Sequence, residues 1–282
     1  MQHLIDTILS AKSSYELFPN EDSTKSYRNL AKVHPDICKE PKAEEAFLRL
    51  QTLYDIHKNG STFVSDLGTV TYYEYGKIVI KGKKFILETN LLWWNKLRKI
   101  EHLIEYLPKE AYLEDDETLI MKYNGYLRNP SELKIPMVHI NWMISRMLEF
   151  VGFCFINGIY HNSMNPKAIL INPVTHSVII INYLHCTLVP NPPTTAYKEY
   201  ASWYKDKDSV DALNFNLIAK TAISLMGDKT GIGNKLLLEK EVNKVVLKFL
   251  QERRTSPIPY TYLEYKKMLL TVYENKFIKY EI

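Results

Sequence analysis

His34-Pro35-Asp36 places an imidazole, a helix-breaking ring and a carboxylate side by side. Proline lacks a backbone donor and pushes the residue before it out of the α region, so a helix running from Tyr27 must stop near Val33 or His34 and present the tripeptide in a loop. On that helix Tyr27, Leu30 and Ala31 share one face, while Lys25, Arg28 and Lys32 stay in water. Two further groups carry chemistry: the stretch His161-Asn162-Ser163, and the charges of Lys81, Lys84 and Glu101, which could pair or simply be solvated. Metal chemistry finds no footing. None of the eight histidines stands at ligand spacing from a cysteine or carboxylate, and Cys38, Cys154 and Cys186 lie far apart with no Cys-x-x-Cys pair. They read as reduced thiols in a cytoplasmic setting.

Composition bounds the elements that must position these groups. With 282 residues, 46% hydrophobic and 12% aromatic, the chain can bury a proper core, which excludes global disorder. A net charge of +4 is mild and argues against a dedicated nucleic-acid binder. Residues 1–12 include Asp6 among Leu4, Ile5, Ile8 and Leu9 and read as an amphipathic helix, not a signal segment. The apolar stretch 140–156 is interrupted by Arg146 and Glu149 and is too short for a bilayer, so no membrane partner is expected. The abundance of Lys, Tyr, Ile and Asn hints at an AT-rich genome, viral or bacterial.

Along the chain, residues 1–60 read as helices, with Asp22-Ser23 able to cap the one that carries Tyr27 and a third over 42–58, where Ala43, Phe47, Leu50, Tyr54 and His57 recur at helical spacing. From Ser61 the period changes. Val70 to Tyr73, Ile78 to Ile80, Phe85 to Leu87 and Glu117 to Tyr123 read as strands of a small antiparallel sheet, with a helix over 91–107 carrying Trp93 and Trp94. Beyond Asn129-Pro130 the pattern predicts a long helix over 138–157, short strands at 169–171 and 178–181, a proline-rich loop at 189–193, and helices over 211–226 and 236–250. The tail, with Tyr260, Tyr262, Tyr265 and Tyr273 among Lys266 and Lys267, reads as a packed helix face more readily than as a stacking platform for RNA.

The segment from Tyr15 to Tyr54 resembles the J domain of DnaJ-like co-chaperones. Three features in register carry the resemblance: His34-Pro35-Asp36 between two helices, Tyr27-Arg28-x-Leu30-Ala31 before it, and Phe47-x-x-Leu50-Gln51-x-Leu53-Tyr54 after it. The helix between Tyr27 and His34 is one residue shorter than is usual in that family, and the loop after Phe18 is compressed. The resemblance implies that His34, Pro35 and Asp36, with Lys25, Arg28 and Lys32, dock on a DnaK-type heat-shock chaperone and stimulate its ATP hydrolysis. An exposed rigid loop beside a cationic helix suits that role, because complementary charge aligns an acidic partner while the loop makes the specific contacts.

The rest of the chain resembles the protein-kinase fold, most closely where Gly158-Ile159-Tyr160-His161-Asn162-Ser163-Met164-Asn165-Pro166-Lys167-Ala168-Ile169-Leu170-Ile171 follows the long helix, and where Val178-Ile179-Ile180-Ile181-Asn182-Tyr183 comes shortly after. In that family phosphoryl transfer needs a catalytic-loop aspartate, an asparagine five residues on and a second aspartate for magnesium. Here those positions hold Ser163, Ala168 and Asn182. A hydroxyl is no carboxylate base at neutral pH, alanine offers no ligand, and a neutral amide binds a hard dication weakly. Leu67-Gly68-Thr69-Val70 is a poor Gly-rich loop, Lys81 or Lys84 would be the phosphate-binding lysine with Glu101 its partner, and His161 reads as a buried structural histidine.

These readings predict an α+β chain: a helical J domain at 1–60 built on an antiparallel helix hairpin, then a bilobal kinase-like domain at 61–282, with a small mixed β/α lobe to about 129 and a larger helical lobe from about 130. The expected protein is a co-chaperone or adaptor in the cytoplasm, a pseudokinase without enzyme activity or cofactor, whose kinase-like part recruits an unidentified protein client. Two alternatives stand beside it. One is an interaction protein that sequesters a partner without chaperone activity; the other is an atypical ATP-binding kinase with relocated carboxylates at Asp206, Asp208 or Asp211.

Overall fold

The computed structural model describes residues 1–191, 193, 198–204, 210–252 and 256–273. Helix α1 (Gln2–Ser10) turns Ile5 and Ile8 inward, and after the short α2 (Ser14–Leu17) the chain enters α3 (Thr24–Leu30). The end of α3 tightens into a 3-10 turn at Ala31–Val33 that stops at His34, where the following proline forbids further helix. Helix α4 (Ala43–Asn59) runs back alongside. Tyr27 stacks on Tyr54 with ring centres 4.0 Å apart and His34 meets Phe47 at 4.4 Å, so the start of α3 faces the end of α4 and the pair is antiparallel. Gly60 ends α4 at φ 65°, a conformation that costs little only for glycine. Ile5, Ile8, Phe18, Val33, Leu50 and Leu53 close a hydrophobic core belonging to these helices alone.

Strands β1 (Ser61–Ser65), β2 (Gly68–Tyr72), β3 (Lys77–Lys81), β4 (Glu110–Asp115) and β5 (Thr118–Lys122) form one antiparallel sheet in the order β1-β2-β3-β5-β4. β1 and β4 escape the sequence pattern because they are edge strands, rich in Ser and Thr or in acid, with little buried surface. The segment Phe85 to Leu87 is not a strand. It opens helix α5 (Lys84–Leu97), whose buried residues Leu87, Asn90, Trp93, Trp94 and Leu97 recur at helical spacing. The helix expected over 91–107 stops early for a packing reason: a turn after Leu97 and a 3-10 segment at Glu101–Tyr106 bring both Leu97 and Leu103 into the core, and the Trp94 indole donates to the Pro108 carbonyl at 3.0 Å.

Helix α6 (Met137–Ile156) is buried on most of its surface and is the axis of the remaining part, packed by α7 (Val210–Leu225) and α9 (Ile258–Val272). After it come β6 (Ile159–Tyr160), β7 (Ile169–Asn172), β8 (Ser177–Ile180) and β9 (Thr187–Leu188); β7 and β8 form a hairpin with Ile169 opposite Ile180, and β6 pairs with β9. The helix expected over 236–250 is in fact a 3-10 turn at Asn234–Leu238 and a separate α8 (Lys244–Gln251), because Asn243 caps α8 by accepting from the Val245 and Val246 amides at 2.9 and 3.3 Å. No helix among the described residues is long and apolar enough to cross a membrane.

The first helices and the sheet meet through a buried acid. Glu74, 7% exposed, accepts from the Ser14 hydroxyl at 2.6 Å and the Tyr15 amide at 3.2 Å, and lies 3.4 Å from the Arg128 guanidinium. Tyr15 stacks on Tyr126 at 5.1 Å, His57 tilts against Tyr75 at 5.0 Å, and Lys77 bonds Glu21 at 2.5 Å.

Candidate functional site

The structure leaves the His34-Pro35-Asp36 loop accessible and well braced. The His34 ring, edge-on to Phe47, accepts through Nδ1 from the Asp36 amide at 3.2 Å, while the Asp36 carboxylate is almost fully in solvent. Lys39 donates to the Pro35 carbonyl at 2.9 Å, and the Ile37 and Cys38 amides return to the His34 carbonyl, closing the loop on itself. Lys25, Arg28 and Lys32 are all exposed on the approach to it. The loop therefore presents a fixed shape, flanked by positive charge, with no wall to exclude water.

A second polar cluster lies where the sheet meets the α6 part, around the segment 181–186. The two-residue turn between β1 and β2 brings Asp66 down onto it: Asn182 donates to Asp66 Oδ1 at 2.6 Å and His185 Nε2 donates to Oδ2 at 2.7 Å. From the side, Asn90 of α5 donates to the Ile181 carbonyl at 3.1 Å and accepts from the Tyr183 amide at 2.6 Å. From below, Ser163 Oγ accepts from the His185 amide at 3.1 Å. Asn162, held at φ 55°, donates to the His185 carbonyl at 3.1 Å and is steadied by Asn214, which accepts from its amide at 3.0 Å.

Of the sequence-derived positions, His161, Ser163, Ala168 and Asn182 fall in or beside this cluster. Ser163, Ala168 and Asn182 are fully buried. Asn182 Oδ1 accepts from the Leu184 amide at 3.0 Å, and Ala168 contributes only backbone, its carbonyl accepting from Ile181 at 2.9 Å. His161 is buried between Phe150 and Tyr183, and burial in that apolar, aromatic pocket lowers its pKa to about 3, so it is neutral at physiological pH. The arrangement sets the Asn182 amide and the His185 imidazole on the Asp66 carboxylate, so that both of its oxygens are occupied. Among the described residues no group of three or more His, Cys, Asp or Glu is placed to hold a metal ion.

The charged trio is not brought together. Lys81 ends β3 and is exposed; Lys84 opens α5, not a strand, and pairs with Asp116 at 2.8 Å; Glu101 is exposed on its 3-10 turn and makes no ion pair with either lysine. The reason is geometric: the chain leaves β3 directly into α5, which carries Lys84 toward the β4–β5 turn. Asp206 and Asp208 lie outside the described residues, as does the side chain of Asp211. In the tail, Tyr265 is buried and donates to Asn141 Oδ1 at 3.1 Å, whereas Tyr260 is exposed and Lys266 lies 5.3 Å from the Tyr262 ring. The sequence pattern does not single out Asp66, Asn90 or His185; the turn Ser65-Asp66-Leu67-Gly68 is a hairpin signal that could have located the first.

No protein-family model matches the chain, and no curated protein matches it. A solved structure, that of vaccinia related kinase 3, is similar to it, with a TM-score of 0.46 and 12% sequence identity over 76% of this chain and 91% of that one.

Proposed function

We propose that the protein is a J-domain co-chaperone or adaptor: residues 1–60 engage a DnaK-type heat-shock chaperone through His34, Pro35 and Asp36, and a catalytically inert kinase-like body, residues 61–282, recruits a client. The observation that carries this reading is the contrast between the two polar centres. The His34 loop is exposed, braced by Phe47 and flanked by Lys25, Arg28 and Lys32. The cluster at 162–185 is turned inward, with Ser163, Asn182 and His185 all bonded to neighbours in the chain. A group that must take a proton from substrate or hold magnesium needs a free acceptor facing the cleft. The energy this protein commands then comes from its partner's ATP cycle.

The test is stimulation of a purified DnaK-type ATPase by the wild type and by His34→Gln. The wild type raises the steady-state rate and the variant, folded normally by circular dichroism, does not. Equal stimulation by both proteins refutes the mechanism. A pull-down with the same pair separates partners held by the loop, lost in the variant, from those held by the body.

A further inference from the structure

An apolar turn protrudes beside α8. Of the three leucines in the 3-10 turn Asn234–Leu238, Leu236 is buried in the large core, whereas Leu237 is 50% exposed and Leu238 91%. The turn is pinned on both sides. Gly233, at φ 87°, brings the chain so close to α8 that a Cβ there would lie 3.0 Å from Leu247, and its amide donates to Asp228 at 3.0 Å. At the other side Lys244 donates to the Leu236 and Glu239 carbonyls at 2.8 and 2.6 Å. Val245, next to Lys244, is 54% exposed. Leu236 already fills the inward position, so Leu237 and Leu238 are held in water, and a fixed apolar feature of that kind marks a contact surface.

The surroundings select the partner. Lys235, Lys240, Lys244 and Lys248 stand around the turn against Glu239 and Glu241, all exposed, and none of the six is in an ion pair among the described residues. Protein interfaces centre on Trp, Tyr and Arg and are depleted in Lys and Glu, with Leu rare among their anchors. Leucines on a protruding turn inside a collar of lysines suit an anionic bilayer instead: the apolar side chains enter the headgroup layer while the ammonium groups stay at its charged surface. We propose that the turn Asn234–Leu238 is a docking tip for an anionic lipid surface, with Leu237 and Leu238 as its inserted residues. Such contact needs no spanning helix, so the expectation of no membrane partner, drawn from the stretch 140–156, gives way at this surface. The tip uses no residue of the His34 loop and stands apart from the chaperone reading.

Co-sedimentation of the full-length chain with sucrose-loaded vesicles tests it, with equal parts of phosphatidylserine and phosphatidylcholine against phosphatidylcholine alone. The wild type pellets with the mixed vesicles and about tenfold or more less tightly with the neutral ones. The double variant Leu237→Ser, Leu238→Ser, folded normally by circular dichroism because both side chains lie outside the core, loses about tenfold or more on the mixed vesicles. Lys235→Ala with Lys240→Ala loses about twenty-fivefold, about fivefold for each lysine. Failure of the wild type to pellet with the mixed vesicles overturns the tip. Equal binding to both vesicles does so too, as does binding that survives the leucine changes, since lysines elsewhere would then suffice. Sedimentation velocity without vesicles covers the other occupant: a wild-type dimer that becomes a monomer in the leucine variant assigns the turn to a second copy of the chain and overturns the lipid surface.

Discussion

The carboxylate of Glu74 accepts a 2.6 Å hydrogen bond from the hydroxyl of Ser14, sixty positions earlier in the chain and in the other hydrophobic unit. With the Tyr15 amide and Arg128 on the same acid, one buried side chain fixes how the first helices sit on the sheet. Charges taken out of water are tolerated when each finds partners, and removing one member leaves the others stranded.

Glu74→Ala should therefore cost about 3 kcal/mol in urea unfolding, because the half-buried Arg128 loses its counter-ion and Ser14 and Tyr15 lose their acceptor. Small-angle scattering should show the radius of gyration rising as the helical unit loosens from the sheet. A change below about 0.5 kcal/mol would mean the aromatic contacts alone hold the junction.

Acid should unfold the protein through its buried imidazoles. His161 has a folded pKa of about 3, against 6.5 when unfolded, so below 6.5 the unfolded state binds a proton that the folded state refuses. Stability is then full above 6.5 and falls as the pH drops toward 3. Each unit costs up to about 1.4 kcal/mol, so wild type should lose about 2 kcal/mol more than His161→Gln between pH 7 and pH 5. His57, His139 and His176, also lowered by burial, act in the same direction. Denaturation midpoints at the two pH values provide the check.

Asn182→Asp, the substitution that would seem to restore a metal-binding acid, should destabilise the chain and yield no turnover. It replaces a donor 2.6 Å from Asp66 with a second carboxylate, whose folded pKa is raised by that neighbour. The penalty is absent below an unfolded pKa of about 3.9 and grows as the pH rises, reaching about 2 kcal/mol or more near neutrality relative to wild type. Phosphoryl transfer by this variant at wild-type stability would disprove the inward-facing description of the cluster.

What the sequence makes legible is local. His34-Pro35-Asp36 ends a helix by the chemistry of its own proline, and Leu50, Tyr54 and His57 mark α4 by spacing alone, so both appear where expected. Val70, Ile78 and Ile80 likewise betray the central strands. Phe85 to Leu87 misleads because three apolar residues in a row fit a strand or a helix equally, and only the later burial of Asn90 and Trp94 at helical spacing decides it. Asp66 and Glu74 leave no trace in the pattern at all. Each is an ordinary turn or strand acid until the fold brings it to partners sixty or more positions away.

The 3-10 turn at Ala31–Val33 sets where the His34 loop begins. An α-helical residue advances the chain by about 1.5 Å and turns it by about 100°. Three residues wound as 3-10 rise about 2.0 Å each and turn about 120°, which adds about 1.5 Å of length and about 60° of rotation relative to three α-helical residues. His34 is therefore carried about 60° further around the helix axis and about 1.5 Å further along it than an unbroken α-helix would place it, so rewinding this one turn would swing the whole loop aside.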